Sequence, residues 1–317
     1  MKAVIIASAG QEPEVKRLPD PGPPGSGQVL VAMVLAPINP ADRQVISGSY
    51  AFPASYPLVL GAEGVGRVIA IGPGVQGVAE GDHVLPLSRG NWCSHRLISA
   101  WDLVIVPPTV PMEQAAVLRI NPATAWRLLG QARLNAGDCV VQNGAGSSVA
   151  RWIRLLAAER GVDVLNVSRA IPAGRSHNEL WLADGPDLAR QAAQLLGGRS
   201  VPLALDCVAG PATGRLANCL SPGGQVVVFG HLSGEDCMVP SGVLTGRGIV
   251  MRGFSLRPGE GSEGHASKAA LYGRLAKLAS QPEAHTPITA TYPLDALPAA
   301  LAAAESGAGR VLLALNP

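Results

Sequence analysis

The stretch from Cys139 to Arg169 constrains the fold more than any other part of the chain. A short apolar run leads into the small-residue loop NGAGSS at 143–148, and apolar residues then recur at helical spacing over 149–157. Gly161 is placed to end that helix, and a second apolar run follows at 164–167. This strand–loop–helix–strand pattern predicts a βαβ unit of a doubly wound parallel sheet, with an anion site where the loop meets the helix.

The loop is not a clean G-x-G-x-x-G, so a βαβ crossover that binds no ligand is the alternative. The end of the second strand indicates which dinucleotide would fit. An acid there hydrogen-bonds the ribose 2′-hydroxyl of NAD, whereas an arginine accommodates the 2′-phosphate of NADP. The strand ends in Ser168 and Arg169, and Asp163 lies at its opposite end. We therefore predict NADPH rather than NADH; the alternative is that Arg169 is a solvated surface residue.

Composition limits the classes of protein that the chain can be. Its 317 residues suffice for two domains, and 47% hydrophobic with 15% charged residues argues against disorder. A net charge of +2 gives no basic footprint for nucleic acid, and no apolar run reaches the length of a membrane span. The N-terminal residues predict a strand rather than a signal peptide. Five widely spaced cysteines without a C-x-x-C pair favour free thiols in a reducing cytoplasm.

Residues 1–117 are predicted to be all-β, because short apolar runs alternate with Gly- and Pro-rich turns, as in a partly open barrel. The predicted strands are 3–7, 28–35, 64–71, 83–86, 95–98 and 103–106. Residues 118–264 contain the βαβ unit and three further strand candidates, at 203–208, 225–230 and 249–254. Helices are predicted at 266–278 and 293–304, and a final strand at 311–313 is expected to return to the first domain.

Several motifs stand in one order along most of the chain: APINPADRQVISGSY (36–50), LGAEGVGRV (60–68), GDHVLP (81–86), GNWCSH (90–95), NPATAWRLL (121–129), VVQNGAGSS (140–148), LALDCVAG (203–210) and MRGFSL (251–256). With these motifs the chain resembles the zinc-free medium-chain dehydrogenase/reductase superfamily, and within it the 2-enoyl thioester reductases. The resemblance implies a GroES-like β-barrel catalytic domain (1–117, with 265–317) and a Rossmann domain (118–264). It also implies an active site in the cleft between them, and a homodimer.

The same resemblance allows the metal to be judged from residues. Zinc members of the superfamily carry Gly-His-Glu where this chain has LGAEG, so Ala62 replaces the histidine. Asn39 and Pro40 occupy the loop that would offer a cysteine, and the cysteine cluster of a structural zinc is missing from the sequence. Because zinc needs three or four converging ligands, we predict no metal. Cys93 and His95 form a C-x-H pair that is better read as a structural turn.

For the reaction, the resemblance implies hydride addition from C4 of NADPH to Cβ of an enoyl thioester, which leaves an enolate to be protonated at Cα. Such a site needs hydrogen-bond donors toward the enolate oxygen. In the enoyl thioester reductases a tyrosine holds the catalytic position, and it matches Tyr50 here. Whether Tyr50 delivers the proton or only positions the substrate stays open. The alternative is a loop tyrosine that packs on Phe52 or Tyr56.

The resemblance also carries over positions near the cofactor, each of which can equally have a structural role. The expected cofactor contacts are Asn39, Asn121, Thr124, Gly146, Ser147, Ser148, Val149, Ser168, Arg169, Phe229, Gly230, His231, Leu232, Phe254, Ser255, Leu256 and Arg310. Three aromatic residues could line an acyl pocket, although core packing is the commoner role of such side chains. They are Phe52, Trp92 and Trp126.

Three departures from the family pattern bear on the cofactor and the substrate. Ser148 and Ala150 stand where the family loop usually has glycine. The segment after Arg169 is short, so the adenine side is expected to be remodelled, with Arg175 or His177 taking part. Ser255 replaces a tryptophan, which opens the pocket near the nicotinamide.

The leading functional prediction is NADPH-dependent reduction of the C2=C3 bond of a trans-2-enoyl thioester of coenzyme A or acyl carrier protein. The first alternative is an NADPH:quinone oxidoreductase, or a reductase of free enones or acrylates, which shares the fold and the hydride step. The second is a non-catalytic NADPH-binding protein, suggested by the altered loop and the short segment after Arg169. The acyl carrier and chain length stay open.

Overall fold

The computed structural model describes residues 1–50, 55–174, 179–256, 265–306 and 309–316. Phe52, Arg175 and His177 lie outside the described residues. The strands, in chain order, are β1 (Lys2–Ile6), β2 (Glu14–Arg17), β3 (Gln28–Pro37), β4 (Leu58–Val59), β5 (Val65–Ile71), β6 (His83–Pro86), β7 (His95–Ser99), β8 (Leu103–Ile105), β9 (Cys139–Gln142), β10 (Asp163–Ser168), β11 (Leu180–Ala183), β12 (Leu203–Asp206), β13 (Gln225–Val228), β14 (Val250–Gly253), β15 (Ile288–Pro293) and β16 (Arg310–Ala314).

The α-helices follow the same numbering. They are α1 (Pro40–Ser47), α2 (Met112–Ala116), α3 (Asn121–Leu129), α4 (Ser148–Ala158), α5 (Leu188–Leu196), α6 (Pro211–Cys219), α7 (Ser241–Arg247), α8 (His265–Ala279) and α9 (Leu297–Glu305). Short 3₁₀ turns lie at Ala100–Asp102, Pro282–Ala284 and Leu294–Ala296. None of the helices in the described ranges combines enough length and apolar character to cross a membrane.

The chain divides into two units, Met1–Ile120 with Pro258–Pro317, and Asn121–Arg257. In the first unit, a small sheet has the order β2-β1-β4, and a larger sheet has the order β15-β16-β3-β5-β6-β8, with β7 also paired to β3. The long strand β3 alternates buried and half-buried residues, as a strand with one face in the core must. β16 lies antiparallel to β3, which places the C-terminal strand in this unit.

The second unit is a six-stranded parallel sheet with the order β11-β10-β9-β12-β13-β14. Counted along the chain from β9, this is the 3-2-1-4-5-6 order of the Rossmann fold. The predicted doubly wound sheet is therefore confirmed. Because every strand runs the same way, the loops that follow the strand ends all emerge at one edge of the sheet.

The predicted helix over 293–304 is correct only in its second part. β15 continues to Pro293, and its residues alternate between half-buried and exposed, as in a strand with one solvated face. A 3₁₀ turn follows, and α9 begins at Leu297. Pro298 lies in the first turn of α9, where a proline requires no hydrogen-bond partner for its nitrogen.

Candidate active site

Asn39 precedes α1 and connects distant parts of the first unit. It is 3% exposed. Its Nδ2 donates to Glu63 Oε1 at 3.1 Å, and its Oδ1 accepts from Arg310 Nη1 at 2.9 Å. Because a guanidinium only donates, these two bonds fix which atom of the Asn39 amide faces which neighbour. Two residues that the family resemblance assigns to the cofactor, Asn39 and Arg310, are thus in direct contact.

Glu63 is a fully buried acid beside Asn39. Its second oxygen, Oε2, accepts from the backbone N–H of Ile120 at 2.8 Å. Burial raises the pKa of Glu63, and the attraction of the Arg310 guanidinium is the largest influence that opposes this shift. Both carboxyl oxygens accept from N–H groups, so Glu63 holds Asn39 in place.

Asp42 fixes the first turn of α1. It is fully buried, and its Oδ2 accepts from Asn39 N at 3.0 Å while its Oδ1 accepts from Ala62 N at 2.8 Å. Burial raises the pKa of Asp42, and the guanidinium of Arg89, with Nη2 3.6 Å from Oδ1, opposes that shift. Asp42 therefore ties the start of α1 to the segment that carries Ala62 and Glu63.

Tyr50, the predicted catalytic residue, lies just after α1. Gly48 ends the helix with φ 77°, a conformation that favours glycine, and Tyr50 N donates to Gln44 O at 3.1 Å. The half-buried Tyr50 receives a hydrogen bond on its hydroxyl from Arg89 Nη1 at 3.2 Å. The Arg89 guanidinium carbon also lies 4.9 Å from the centre of the ring. The end of α1 and Arg89 together place the phenol.

The two described aromatic residues expected at an acyl pocket differ in burial. Trp92 is fully buried in the core, and its Nε1 donates to Pro37 O at 3.2 Å. Trp126 is half-buried, with the Arg160 guanidinium carbon 4.9 Å from the ring centre. The structure thus favours the core role for Trp92, and the pocket role of Trp126 stays a prediction.

In the second unit, side chains from two strand ends stabilise the loop that follows β9. Asn143 Nδ2 donates to Asp206 Oδ1 at 2.6 Å, and Asn143 Oδ1 accepts from Cys207 N at 2.8 Å. Gly144 has φ 55°, and a Cβ there would lie 2.2 Å from the Cys207 sulfur. Only glycine fits that position, so the loop is held close to the end of β12.

The rest of this loop meets the N-terminus of α4. Ser147 caps the helix, because its Oγ accepts from Ala150 N at 3.1 Å. Its hydroxyl is thereby engaged, and the backbone N–H groups of the first turn, including Ser148 and Val149, are the groups that suit an anion. Open space lies where Gly146 would carry a Cβ. These residues fit the pyrophosphate of a dinucleotide.

The end of β10 carries the two residues that are predicted to contact a 2′-phosphate. Ser168 ends the strand, and its hydroxyl donates to Ala170 O at 2.6 Å. Arg169 follows and is exposed. Asp163 lies at the other end of β10 and pairs with Arg199. Contact between Arg169 and a 2′-phosphate stays a prediction.

The segments that follow β13 and β14 carry further residues expected to contact the cofactor. Both segments begin at the same edge of the sheet as the loop after β9. Phe229 N donates to Asp206 O, and Phe254 N donates to Val228 O, both at 2.8 Å, so backbone bonds continue past the strand ends. Leu232 is 67% exposed. The remaining members of this set are Gly230, His231, Ser255 and Leu256, of which His231 is exposed and the others half-buried.

At the start of α3, Asn121 is 7% exposed and Thr124 is 8% exposed. The Asn121 Nδ2 is buried and has no hydrogen-bond partner among the described residues. A buried donor without an acceptor costs about 1–3 kcal/mol, and a bound ligand that offers an oxygen would remove this cost. This unpaired amide is the structural observation that most supports a ligand at the second unit, and it fits a dinucleotide.

Three residues with central positions in these networks were not among the sequence predictions. They are Asp42, Arg89 and Asp206. Asp42 could have been found, because an acid three residues after Asn39 is typical of a helix start. The contacts of Arg89 with Tyr50 and Asp42, and that of Asp206 with Asn143, join residues that are distant in sequence, so local patterns give no signal for them.

Two family models match the chain. The alcohol dehydrogenase GroES-like domain matches residues 25–103, and the zinc-binding dehydrogenase model matches residues 183–310. The mitochondrial enoyl-[acyl-carrier-protein] reductase of Caenorhabditis elegans is 36% identical over 73% of this chain and 69% of its own length. The chain belongs to the enoyl reductase family. This family is part of the medium-chain dehydrogenase/reductase superfamily of oxidoreductases, as the motifs indicated.

Other relatives with the same description agree. The Arabidopsis thaliana protein is 35% identical over 81% of this chain and 72% of its own length. The Bos taurus protein is 34% identical over 73% of this chain, which spans 65% of the cattle protein. The chain thus spans about two thirds of the length of the curated relatives that it matches.

Solved structures share the fold over nearly the whole chain. An NADPH:quinone reductase from Bacillus thuringiensis has a TM-score of 0.86 at 26% identity, covering 99% of this chain and 98% of that one. The mitochondrial 2-enoyl thioester reductase Etr1p/Etr2p heterodimer from Candida tropicalis has a TM-score of 0.85 at 20% identity, covering 99% of both chains. At that identity the second likeness shows the fold alone.

The name of the second family model raises the question of zinc. In the described ranges, no group of three or more His, Cys, Asp or Glu side chains is placed to hold a metal ion. Glu63 already accepts two hydrogen bonds, and Asn39 Oδ1 accepts from the cationic Arg310. A donor set next to a guanidinium does not suit zinc. The absence of zinc stays a prediction, which this residue chemistry supports.

Proposed function

We propose that the protein is an NADPH-dependent reductase of the C2=C3 bond of trans-2-enoyl thioesters. The position of Tyr50 supports this proposal most: a phenol at the end of α1 whose oxygen accepts a hydrogen bond from Arg89 at 3.2 Å. Relatives described as enoyl-[acyl-carrier-protein] reductases, at 34–36% identity, support the substrate class. Coenzyme A and acyl carrier protein are both acceptable carriers under this proposal.

Bound NADPH would supply the hydride. The task of this chain's residues is to bind the thioester and stabilise the negative charge that grows on its carbonyl oxygen. Tyr50 is a hydrogen-bond donor suited to that oxygen, since a preorganised donor is worth most where charge develops. Asn39 is a rigid polar group, because its hydrogen bonds to Glu63 and Arg310 prevent its side-chain amide from flipping.

For the cofactor, we propose that the start of α4 binds the pyrophosphate and that Ser168 and Arg169 contact the 2′-phosphate. The exposed Arg169 and the position of Asp163 at the opposite end of β10 favour NADPH over NADH. Arg169→Ala should weaken NADPH binding more than NADH binding in fluorescence titrations. If the wild type binds NADPH and NADH with equal affinity, and Arg169→Ala changes neither affinity, the assignment of Arg169 to the 2′-phosphate is refuted.

Tyr50→Phe tests the catalytic proposal directly. Turnover of crotonyl-CoA should fall at least about 100-fold, the usual effect of removing a donor to a developing oxyanion, while NADPH still binds. Tyr292→Phe is the matched control, since Tyr292 lies on β15 in the same unit. Equal activity of the two variants would refute the role of Tyr50, and NADPH binding without any turnover by the wild type would favour a non-catalytic protein.

Reduction of quinones is the second candidate, because the Bacillus thuringiensis relative is described as an NADPH:quinone reductase and shares the fold over 99% of this chain. Side-by-side rates with crotonyl-CoA and a benzoquinone separate the two activities. Turnover of the quinone alone would replace the first proposal by the second.

We further propose a homodimer formed along β14. This strand ends the sheet, all four of its residues are exposed, and Val250 and Met251 are 53% and 45% exposed. An uncovered apolar edge strand favours pairing with a second strand. Met251→Lys should convert the dimer to monomer in analytical ultracentrifugation, whereas an unchanged mass would exclude this edge as the interface.

We propose that the protein is located in the cytoplasm, because its cysteines are typical of a reducing compartment. Those in the described ranges are free, and burial raises the pKa of Cys139 and Cys207 to about 12. Localisation of a tagged protein to another compartment would correct this part alone.

A further inference from the structure

Arg89 is a charged side chain that contacts Tyr50, and no sequence motif assigned it a role. Its Nη1 donates to the Tyr50 hydroxyl at 3.2 Å, and its guanidinium carbon lies 4.9 Å from the ring centre. The two residues are 39 positions apart in the chain. The contact is therefore built by the fold of the first unit and not by local sequence.

The chemistry of the two groups fixes the direction of this bond. A guanidinium carries five N–H donors and no acceptor, so the phenol oxygen must be the acceptor. The hydroxyl hydrogen of Tyr50 consequently points away from Arg89. An orientation of this kind keeps Tyr50 as a donor toward any other group that approaches its oxygen.

Arg89 is itself oriented by a buried acid. Its Nη2 lies 3.6 Å from Asp42 Oδ1, and Asp42 is fully buried. Two backbone N–H groups, those of Asn39 and Ala62, hold the carboxylate in place. The order Asp42–Arg89–Tyr50 thus runs from a buried carboxyl group, held by two backbone N–H groups, through a cation to a phenol.

The turn that carries Arg89 is also held on both sides. Arg96 donates to Asn91 Oδ1 at 2.6 Å and to Ser88 Oγ at 2.9 Å. Asn91 Nδ2 donates across the turn to Ser88 O at 2.9 Å. Arg96 therefore fixes the backbone around Arg89, and the Arg89 side chain, 30% exposed, extends from a rigid base.

We propose that Arg89 is a positioning residue for the reaction: it holds the Tyr50 hydroxyl as a hydrogen-bond donor toward the substrate carbonyl, and Asp42 holds Arg89. This inference rests on the proposed role of Tyr50 and adds the residue that makes Tyr50 effective. The positive charge of Arg89 also favours the growth of negative charge near the phenol. No bond is made or broken at Arg89 itself.

Arg89→Met tests the proposal with crotonyl-CoA and NADPH. The variant should lose about 10- to 100-fold in kcat, with a smaller change in KM. Arg89→Lys keeps the positive charge and an N–H donor group, so it should recover part of the loss. Arg17→Met, an exposed arginine on β2, is the matched control and should keep wild-type turnover.

A double-mutant cycle distinguishes positioning from a general structural effect. If Arg89 acts through Tyr50, Arg89→Met should cost no further activity in the Tyr50→Phe background. Independent losses that multiply, or unchanged kcat in the single variant, would overturn the proposal.

A second measurement does not depend on turnover. Tyr50 ring resonances in protein labelled at tyrosine, assigned by their loss in Tyr50→Phe, should shift in Arg89→Met and stay in place in Arg17→Met. Absence of this shift refutes the contact. If the resonances shift in Arg89→Met but the wild-type protein turns over neither an enoyl thioester nor a quinone, the contact is real and the proposed function is refuted. The catalytic role of Arg89 is then refuted as well.

Discussion

Glu63 in the first unit and Asp206 in the second are both fully buried acids. Different kinds of neighbouring groups offset the cost of burying each of them. Glu63 accepts from Asn39 Nδ2 and from Ile120 N, and the Arg310 guanidinium, a hydrogen-bond partner of Asn39, attracts it. Its partners are therefore a cation and N–H groups, and an N–H group cannot become an acceptor.

Asp206 instead accepts hydrogen bonds from neutral groups. Asn143 Nδ2, Val208 N and Ala209 N donate to its Oδ1 at 2.6, 2.8 and 3.0 Å. The Thr213 hydroxyl donates to its Oδ2 at 2.6 Å. A hydroxyl can reverse its role and accept, so one partner of Asp206 adapts to a change that the partners of Glu63 cannot accommodate.

The comparison shows that burial alone does not say what an acid does. In the first unit both oxygens of Glu63 are required as acceptors by N–H groups, whereas in the second unit one partner of Asp206 is a hydroxyl that can also accept. Replacement of each carboxylate by its amide separates these two cases, because the amide keeps the shape and removes the charge.

Glu63→Gln should have the largest effect. The new amide N–H₂ would face an N–H donor and leave it without an acceptor, so we expect a loss of about 1–3 kcal/mol in the free energy of unfolding in urea. Asp295→Asn, which breaks the exposed pair with Lys2, is the control and should cost under about 1 kcal/mol. A loss at Glu63 no larger than at Asp295 would contradict the requirement for two acceptor oxygens at Glu63.

The pH dependence of stability sharpens the same point. Burial raises the pKa of both Asp42 and Glu63 in the folded state. A raised pKa gives stability that is complete below the unfolded value, near 4, and is lost as pH rises through the folded value. The free energy of unfolding should therefore fall with rising pH, by at most about 1.4 kcal/mol per unit for each acid.

Glu63→Gln removes one of these titrations, so its stability should decline less steeply with pH than that of the wild type. Urea denaturation at a series of pH values measures both slopes. A wild-type stability that rises with pH would mean that attraction by Arg89 and Arg310 outweighs the burial of the two acids.

Ala209, beside Asp206, has φ 67°, a left-handed conformation that is strained for alanine. Ala209→Gly should relieve this strain and raise the free energy of unfolding by up to about 1 kcal/mol, partly offset by the greater freedom of glycine in the unfolded chain. Thermal denaturation of the two proteins is the measurement. A loss of stability would indicate that the alanine methyl group contributes packing that exceeds the strain.

Asp206→Asn should have the smallest effect, below about 1 kcal/mol. The Asn oxygen can keep the three N–H donors, and its amide can donate to the Thr213 hydroxyl. Asp206→Ala is the comparison variant, since it leaves several buried donors without an acceptor at about 1–3 kcal/mol each. If Asn and Ala cost the same in urea denaturation, charge rather than acceptor geometry stabilises this loop.

Local pattern predicted the second unit well. The apolar run before the small-residue loop is β9 (Cys139–Gln142), and α4 and β10 follow as predicted. The strand Glu14–Arg17 was missed because it lies at a sheet edge and is largely exposed, so its residues carry no apolar alternation. The start of α9 was misplaced because β15 continues to Pro293 and a short 3₁₀ turn follows it, and apolar spacing does not separate such a turn from a helix.

Helix α1, in a segment predicted to be all-β, is found only in the structure. By itself the sequence determined the family, the βαβ unit and the place of Tyr50 in a loop. These follow from patterns that span a few turns of chain. The tertiary structure alone decided which charges meet: Asn39 and Arg310 are 271 positions apart, and Tyr50 and Arg89 are 39 positions apart. Hydrogen bonds and ion pairs act over a few ångströms, so packing of the folded strands, rather than spacing in the chain, determines these partners.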